Sequence, residues 1–181
     1  MVLVFLADGF EEIEALTPVD VLRRAGVEVL TVGVGGKEIR GAHNIMVKCD
    51  IADSELSGSL PECVILPGGM PGTLNLAGSK TVTDTVMKVY NNNGLVAAIC
   101  AAPSVLGKLG ILKGKNAICY PGFEDELTDA VLSRNSVCCD GNVITAKGPG
   151  VSLPFAFEIL DYLSGDGKLS EEIGESMQCA R

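Results

Sequence analysis

Six short, nearly unbroken apolar runs punctuate the chain: "VLVFL" at 2–6, "VEVLTVGV" at 27–34, "CVILP" at 63–67, "LVAAI" at 95–99, "AICY" at 117–120 and "VITA" at 143–146. A strand buried on both faces reads this way, and such strands belong to parallel sheets covered by helices on either side. Helical patterns fill the intervals. In "EEIEALTPVDVLRRAG", Ile13, Leu16, Val19 and Leu22 recur at helical spacing, with Gly26 placed to end the helix and Pro18 expected to kink or restart it. "KTVTDTVMKVYNN" sets Val82, Val86 and Val89 on one face, and a further helix opens just after Cys100. "GFEDELTDAV" and "LPFAFEILDYLSG" predict short amphipathic helices, "GKLSEEIGESM" a terminal one, and residues 35–50 a β-hairpin or irregular excursion off the main sheet. The alternation specifies an α/β fold, a doubly wound, mainly parallel sheet sandwiched by helices, in a single domain over residues 1–181.

Composition excludes several function classes. Against 14 Lys and Arg stand 23 Asp and Glu, a formal net charge of −9, and no basic run occurs, so no nucleic-acid partner is expected. The N-terminal apolar run stops at Asp8, too soon for a signal peptide or a membrane span; the expectation is a soluble, cytoplasmic protein with no membrane partner. Seven cysteines with no C-x-x-C pair fit neither a disulfide framework nor a zinc site, and His43 is the sole histidine. No metal and no cofactor are expected.

Doubly wound sheets bind ligands beyond the carboxyl ends of their strands, which draws attention to three segments. After the first strand, "ADGFEEIEA" places three carboxylates at a helix start, where acidic residues meet the positive end of the dipole. Glu11 and Glu12 read as solvated. Glu14, between Ile13 and Ala15, can face the sheet, where burial would raise its pKa. After 63–67 comes "PGGMPG", whose glycines let backbone N–H groups approach developing negative charge. After 95–99, Cys100 passes into a helix through Ala101 and Ala102, the shape of a nucleophile elbow; its thiol, open to solvent beside a helix N-terminus, is expected to have a lowered pKa. Taken singly, each segment reads first as capping carboxylates, an ordinary βα turn, or an inert buried cysteine.

Together the segments "LADGFEEIEALTPVDVLRRAGVEV", "VILPGGMPGTLNL", "LVAAICAAP" and "VITAKGPGVSLPFAFEILDYL" resemble the ThiJ/PfpI superfamily, within it the subgroup of the parkinsonism-associated protein deglycase. The resemblance implies a flavodoxin-like sandwich and a homodimer. It implies Cys100 as reactive nucleophile, Glu14 as its general acid and base, and the backbone N–H groups of Gly69 and Ala101 as an oxyanion hole. The protease-like branch carries a histidine directly after its cysteine, where Ala101 stands here; the deglycase subgroup often has one near the thiol, at the position of Tyr120. Proton transfer then rests on Glu14. His43 falls where the family often carries a polar or basic residue near the dimer interface, and a surface role is expected. The function implied is a cysteine-dependent, cofactor-independent glyoxalase or deglycase acting on methylglyoxal-type dicarbonyls or on glycated proteins. The alternative is a redox-sensing stress-response protein or chaperone with an oxidisable Cys100.

Overall fold

The computed structural model describes residues 1–179. In chain order its elements are β1 (Val2–Leu6), α1 (Glu12–Arg24), β2 (Val29–Gly33), β3 (Glu38–Arg40), β4 (Met46–Lys48), β5 (Ile51–Ala52), β6 (Cys63–Leu66), α2 (Gly72–Gly78), α3 (Lys80–Asn91), β7 (Leu95–Ile99), α4 (Pro103–Lys108), β8 (Asn116–Ala117), β9 (Val131–Leu132), β10 (Val137–Asp140), β11 (Val143–Ala146), α5 (Ser152–Ser164) and α6 (Lys168–Ser176). Seven strands form the central sheet in the order β10-β11-β7-β6-β1-β2-β5. All its pairs are parallel except β10 with β11. From β1 the chain winds one way to β2, and from β6 the other way to β7, so the winding reverses between β1 and β6. A doubly wound sheet opens its ligand crevice at such a reversal.

The apolar runs become two cores through the two-residue period of a strand. Val2, Val4 and Leu6 of β1, with Ile65, Ala97 and Ile99, pack on the side of α1 and α5, against Ala15, Leu22, Phe155 and Ile159. Leu3 and Phe5, with Val64, Leu66, Val96 and Ala98, pack on the other side against Leu76, Val82, Val86, Val89 and Leu106. Phe5, Phe155, Leu3 and Leu22 are fully buried. At about 25 cal/mol per Å², each such side chain contributes on the order of 2 kcal/mol of burial free energy. Among the described residues, no helix is long and apolar enough to cross a membrane.

Several elements differ from their sequence reading. Pro18 does not restart the first helix: α1 is one segment, although the proline has no N–H for the carbonyl one turn earlier. Its buried face holds Ala15, Val19, Val21 and Leu22, while Ile13 is half exposed. The run at 117–120 is not a strand of the main sheet. Only Asn116–Ala117 is extended, pairing with β9 in a separate two-stranded sheet, and Ile118 N–H turns to the Thr145 Oγ1 side chain rather than to a backbone ladder. Residues 122–131 form a single 3₁₀ turn at Glu124–Glu126 and then β9, because the Glu124 carboxylate accepts from the Gly122 N–H and closes a local turn. Helix α2 and strands β5 and β10 lie outside the sequence reading. The excursion at 35–50 holds the β3–β4 hairpin, and α6 forms at 168–176.

Candidate active site

Three loops meet at the carboxyl ends of β1, β6 and β7, beside the winding reversal. Cys100 is the first residue beyond β7 and its φ is +65°, left-handed and strained for a residue with a side chain. Strand alternation along Ala98 and Ile99 would send residue 100 to the α3 side. The left-handed turn breaks that alternation, and Cys100 packs with the α1-side cluster instead, where Glu14 lies. The nucleophile-elbow reading of the sequence therefore has a backbone basis. Two hydrogen bonds hold the turn: Cys100 N–H donates to the Ala146 carbonyl at 2.9 Å, and the Cys100 carbonyl accepts from Tyr120 N–H at 2.8 Å.

Glu14, in the first turn of α1, is fully buried. Its Oε2 accepts from Gly68 N–H at 2.8 Å; Oε1 is buried and has no well-formed hydrogen bond. Burial pushes the carboxyl up to about 7, and the Glu11 charge adds to the rise, against the lowering effect of the Cys100 side chain and the Gly68 N–H. The thiol moves the same way. Burial, then the charge and hydrogen bond of Glu14, push Cys100 up to about 12, opposed by the backbone N–H groups of Ala101 and Gly69. The solvent-open, low-pKa thiol read from the sequence is thus corrected: Cys100 is only 9% exposed, and the carboxylate beside it outweighs a six-residue helix that begins at Pro103.

Burial raises both groups and the Glu14 charge raises the thiol further, so above about pH 7 the pair holds a single proton, on Cys100. Resting as thiol and carboxylate, it becomes thiolate and carboxylic acid when the proton crosses. The Ala101 and Gly69 N–H groups both act on the Cys100 sulfur and favour its charged form.

Sequence reasoning missed Gly68. A Cβ there would lie 2.7 Å from the Cys100 Cβ and 2.8 Å from Glu14 Oε2, so only glycine lets thiol and carboxyl close over the β6 turn. The signal was present as the first glycine of "PGGMPG", but spacing alone does not say which glycine is approached. Gly69, at φ +87°, fits its reading as a backbone donor, since a side chain there would also run into the backbone of Gly9–Glu11.

Glu12 is not solvated as the sequence suggested; it is 6% exposed. It accepts from the His43 N–H through Oε1 and meets His43 Nδ1 through Oε2, each at 2.8 Å. Burial alone would raise this carboxyl, but these bonds hold it below the usual range, while His43 is raised first by its bond to Glu12 and then by the charges of Glu11 and Glu12. His43 is at the surface, as expected, and clamps the hairpin to α1. Among the described residues, Glu11, Glu12 and His43 are the one group whose ligand atoms lie within 4.8 Å of one another. Glu12 is already taken up by His43, and the positive end of α1 disfavours a cation there. The seven cysteines are free thiols.

Comparison with known proteins agrees with this architecture. The chain is 40% identical over 169 residues to the Parkinson disease protein 7 homolog of Danio rerio, covering 90% of this chain and 89% of the relative. It is 34% identical over 161 residues to the glutathione-independent glyoxalase DJR-1.2 of Caenorhabditis elegans, covering 87% and 85%. The crystal structure of Drosophila melanogaster DJ-1beta superposes with a TM-score of 0.92 at 34% identity, covering 99% of this chain and 98% of that one. The DJ-1/PfpI family model matches residues 1–162, and with the sheet order, the elbow and the buried carboxyl in place, the chain belongs to the DJ-1/PfpI family.

Proposed function

We propose that the protein is a cysteine-dependent glyoxalase that converts methylglyoxal-type 2-oxoaldehydes, free or as protein adducts, into 2-hydroxy acids. One observation carries the reading: Glu14 and Cys100 close over Gly68, a carboxyl raised to about 7 by burial beside a buried thiol. The relative named as a glutathione-independent glyoxalase supports the reaction class.

The reaction begins as Glu14 takes the thiol proton while the sulfur bonds to the aldehyde carbon. The carbonyl electron pair moves onto oxygen, where Gly69 and Ala101 N–H groups donate to it, and Glu14 returns the proton to give a hemithioacetal. The carboxylate then removes the hydrogen from that carbon to give an enediol and delivers a proton to the neighbouring carbon, while the hemithioacetal hydroxyl proton passes to the neighbouring oxygen, leaving a thioester beside a hydroxyl. Water cleaves the thioester and the thiol regains its proton. The aldehyde carbon is oxidised and its neighbour reduced, so the step balances without an external oxidant. A base with a pKa about 7 suits a reaction at neutral pH, and the absence of a histidine at Tyr120 leaves this role to Glu14. The test is incubation of the purified protein with methylglyoxal. Loss of the dicarbonyl with stoichiometric lactate supports the reading; loss without lactate, or none, overturns it.

A second reading rests on the unpartnered Glu14 Oε1. Protonated, that carboxyl can donate to an oxygen of a Cys100 sulfinate and hold the cysteine at that oxidation stage, as a redox sensor or chaperone would need. A cytoplasmic setting, where thiols stay reduced, fits seven free cysteines.

The working unit in this reading is a homodimer joined through α1 and the β3–β4 hairpin. Ile13 on α1 and Ile45 and Met46 on the hairpin are each about half exposed, and His43 ties the two elements together. Light scattering at micromolar concentration is expected to give twice the 18.8 kDa chain mass, falling toward one chain mass in Ile13→Asp. A single-chain mass for the unaltered protein would refute the dimer.

A further inference from the structure

A cleft of about 250 Å³ opens beside the elbow, walled by Tyr120, Pro121, Lys147, Pro149 and Val151. Both walls adjoin Cys100 through the backbone. Tyr120 N–H bonds the Cys100 carbonyl, and Lys147 follows Ala146, whose carbonyl accepts from Cys100 N–H. Local bonds fix the second wall: Lys147 N–H donates to the Ser136 carbonyl at 2.9 Å, and Val151 N–H to the Gly148 carbonyl at 3.0 Å. The Tyr120 ring lies against Gly148, where a Cβ would stand 3.0 Å from its Cδ2, and yet the tyrosine remains 47% exposed. Two proline rings, a valine and an aromatic face make a preformed, nearly all-carbon surface. Its one charged neighbour, Lys147, is exposed, so its ammonium can stay in water while its stem borders the cleft.

We propose that this cleft receives the substituent of the dicarbonyl held on Cys100, and that it selects 2-oxoaldehydes bearing a flat, uncharged, aromatic or similarly bulky apolar group. The inference rests on the glyoxalase reading and names its substrate class. The methyl of methylglyoxal leaves most of the cleft unfilled. An aryl group can lie against Tyr120 and Val151, and apolar pockets discriminate by tens-fold when a group of that kind is gained or lost. Tyr120 is thereby a specificity residue. Its backbone N–H, which holds the elbow, survives substitution of its side chain.

The experiment compares phenylglyoxal with methylglyoxal. For the unaltered protein, kcat/KM for phenylglyoxal is expected to exceed that for methylglyoxal by about tenfold, mainly through KM. Tyr120→Phe keeps the preference; Tyr120→Ala and Val151→Trp bring the ratio to one or below. Equal turnover of the two compounds by the unaltered protein, or a preference surviving both latter variants, overturns the proposal. Acetophenone, which has the ring but no aldehyde, separates this failure from failure of the glyoxalase reading. It is expected to shift the Val151 methyl resonances of the unaltered protein but not of Tyr120→Ala, whether or not any dicarbonyl turns over. No shift of those resonances in the unaltered protein also overturns the cleft assignment.

Discussion

Cys100→Ser is expected to abolish dicarbonyl turnover, and Glu14→Gln to lower it by on the order of 100-fold or more. Serine keeps the position and nearly the shape of the nucleophile, but its hydroxyl is a far weaker acid than a thiol and Glu14 at about 7 cannot strip it. Glutamine can still accept the Gly68 N–H through its amide oxygen, so the loop over the elbow stays in place, but it cannot take the thiol proton or carry one between adjacent carbons. The loss should fall on kcat, because what is removed acts in the proton-transfer steps. For the unaltered protein the rate should rise with pH through about 7, as Glu14 loses its proton and becomes the base, and Glu14→Gln should lack that limb. The same variant separates the two functional readings. If Glu14 serves only to hold a sulfinate, methylglyoxal consumption stays near the unaltered rate while peroxide no longer stops at that stage. That combination, read by lactate assay and by mass mapping of the Cys100 peptide, would sink the enzyme.

How far the sequence reaches is visible in where it stops. β1, β7 and β11 carry no competing pattern, because a five- or four-residue apolar run that must be buried on both faces fits little else, and their ends agree with the structure residue for residue. "AICY" has the same composition and fails. Its neighbours already fill the sheet edge, where "VCCDGNV" folds back on itself as β10 and β11 across a two-residue turn at Gly141 and Asn142. The D-G dipeptide was the available signal for that hairpin, and a run of two cysteines before it masked the strand. Cys100 and Glu14 were legible as positions, one at a strand end flanked by alanines and one on the sheet side of a helix start. Their electrostatics were not. The charge state of each depends on the other, and their contact depends on Gly68, 54 residues from Glu14 in the chain. Glu12 failed for a related reason: its burial comes from the hairpin, through His43, and no periodicity in α1 records it.

Glu14 should also cost stability as pH rises, and Glu14→Gln should relieve that cost. The folded protein binds this proton more tightly than the unfolded chain, with a pKa of about 7 against an ordinary value of 4.5. Below 4.5 both states are protonated and burial carries no charge penalty. Between 4.5 and about 7 the unfolded chain releases the proton while the folded protein keeps it, so unfolding becomes easier as pH rises; above about 7 both are ionised and the slope ends. At 1.36 kcal/mol per pKa step, the stability lost across that window is roughly 3 kcal/mol. Other groups titrate nearby. His43 is raised, so its contribution is lost as pH rises past its ordinary value, and Glu12 is lowered, so its contribution is lost as pH falls. Both remain in Glu14→Gln and cancel in the comparison. Urea unfolding of the two proteins at pH 4.5 and pH 8 should therefore show the variant gaining by roughly 3 kcal/mol between the two conditions relative to the unaltered protein. A catalytic carboxyl held at the expense of the fold behaves this way, since burial that tunes a base also strains the native state. A difference between the two proteins that does not change with pH would mean that Glu14 titrates near its ordinary value when folded, and the account of Glu14 as a base tuned by burial would fail with it.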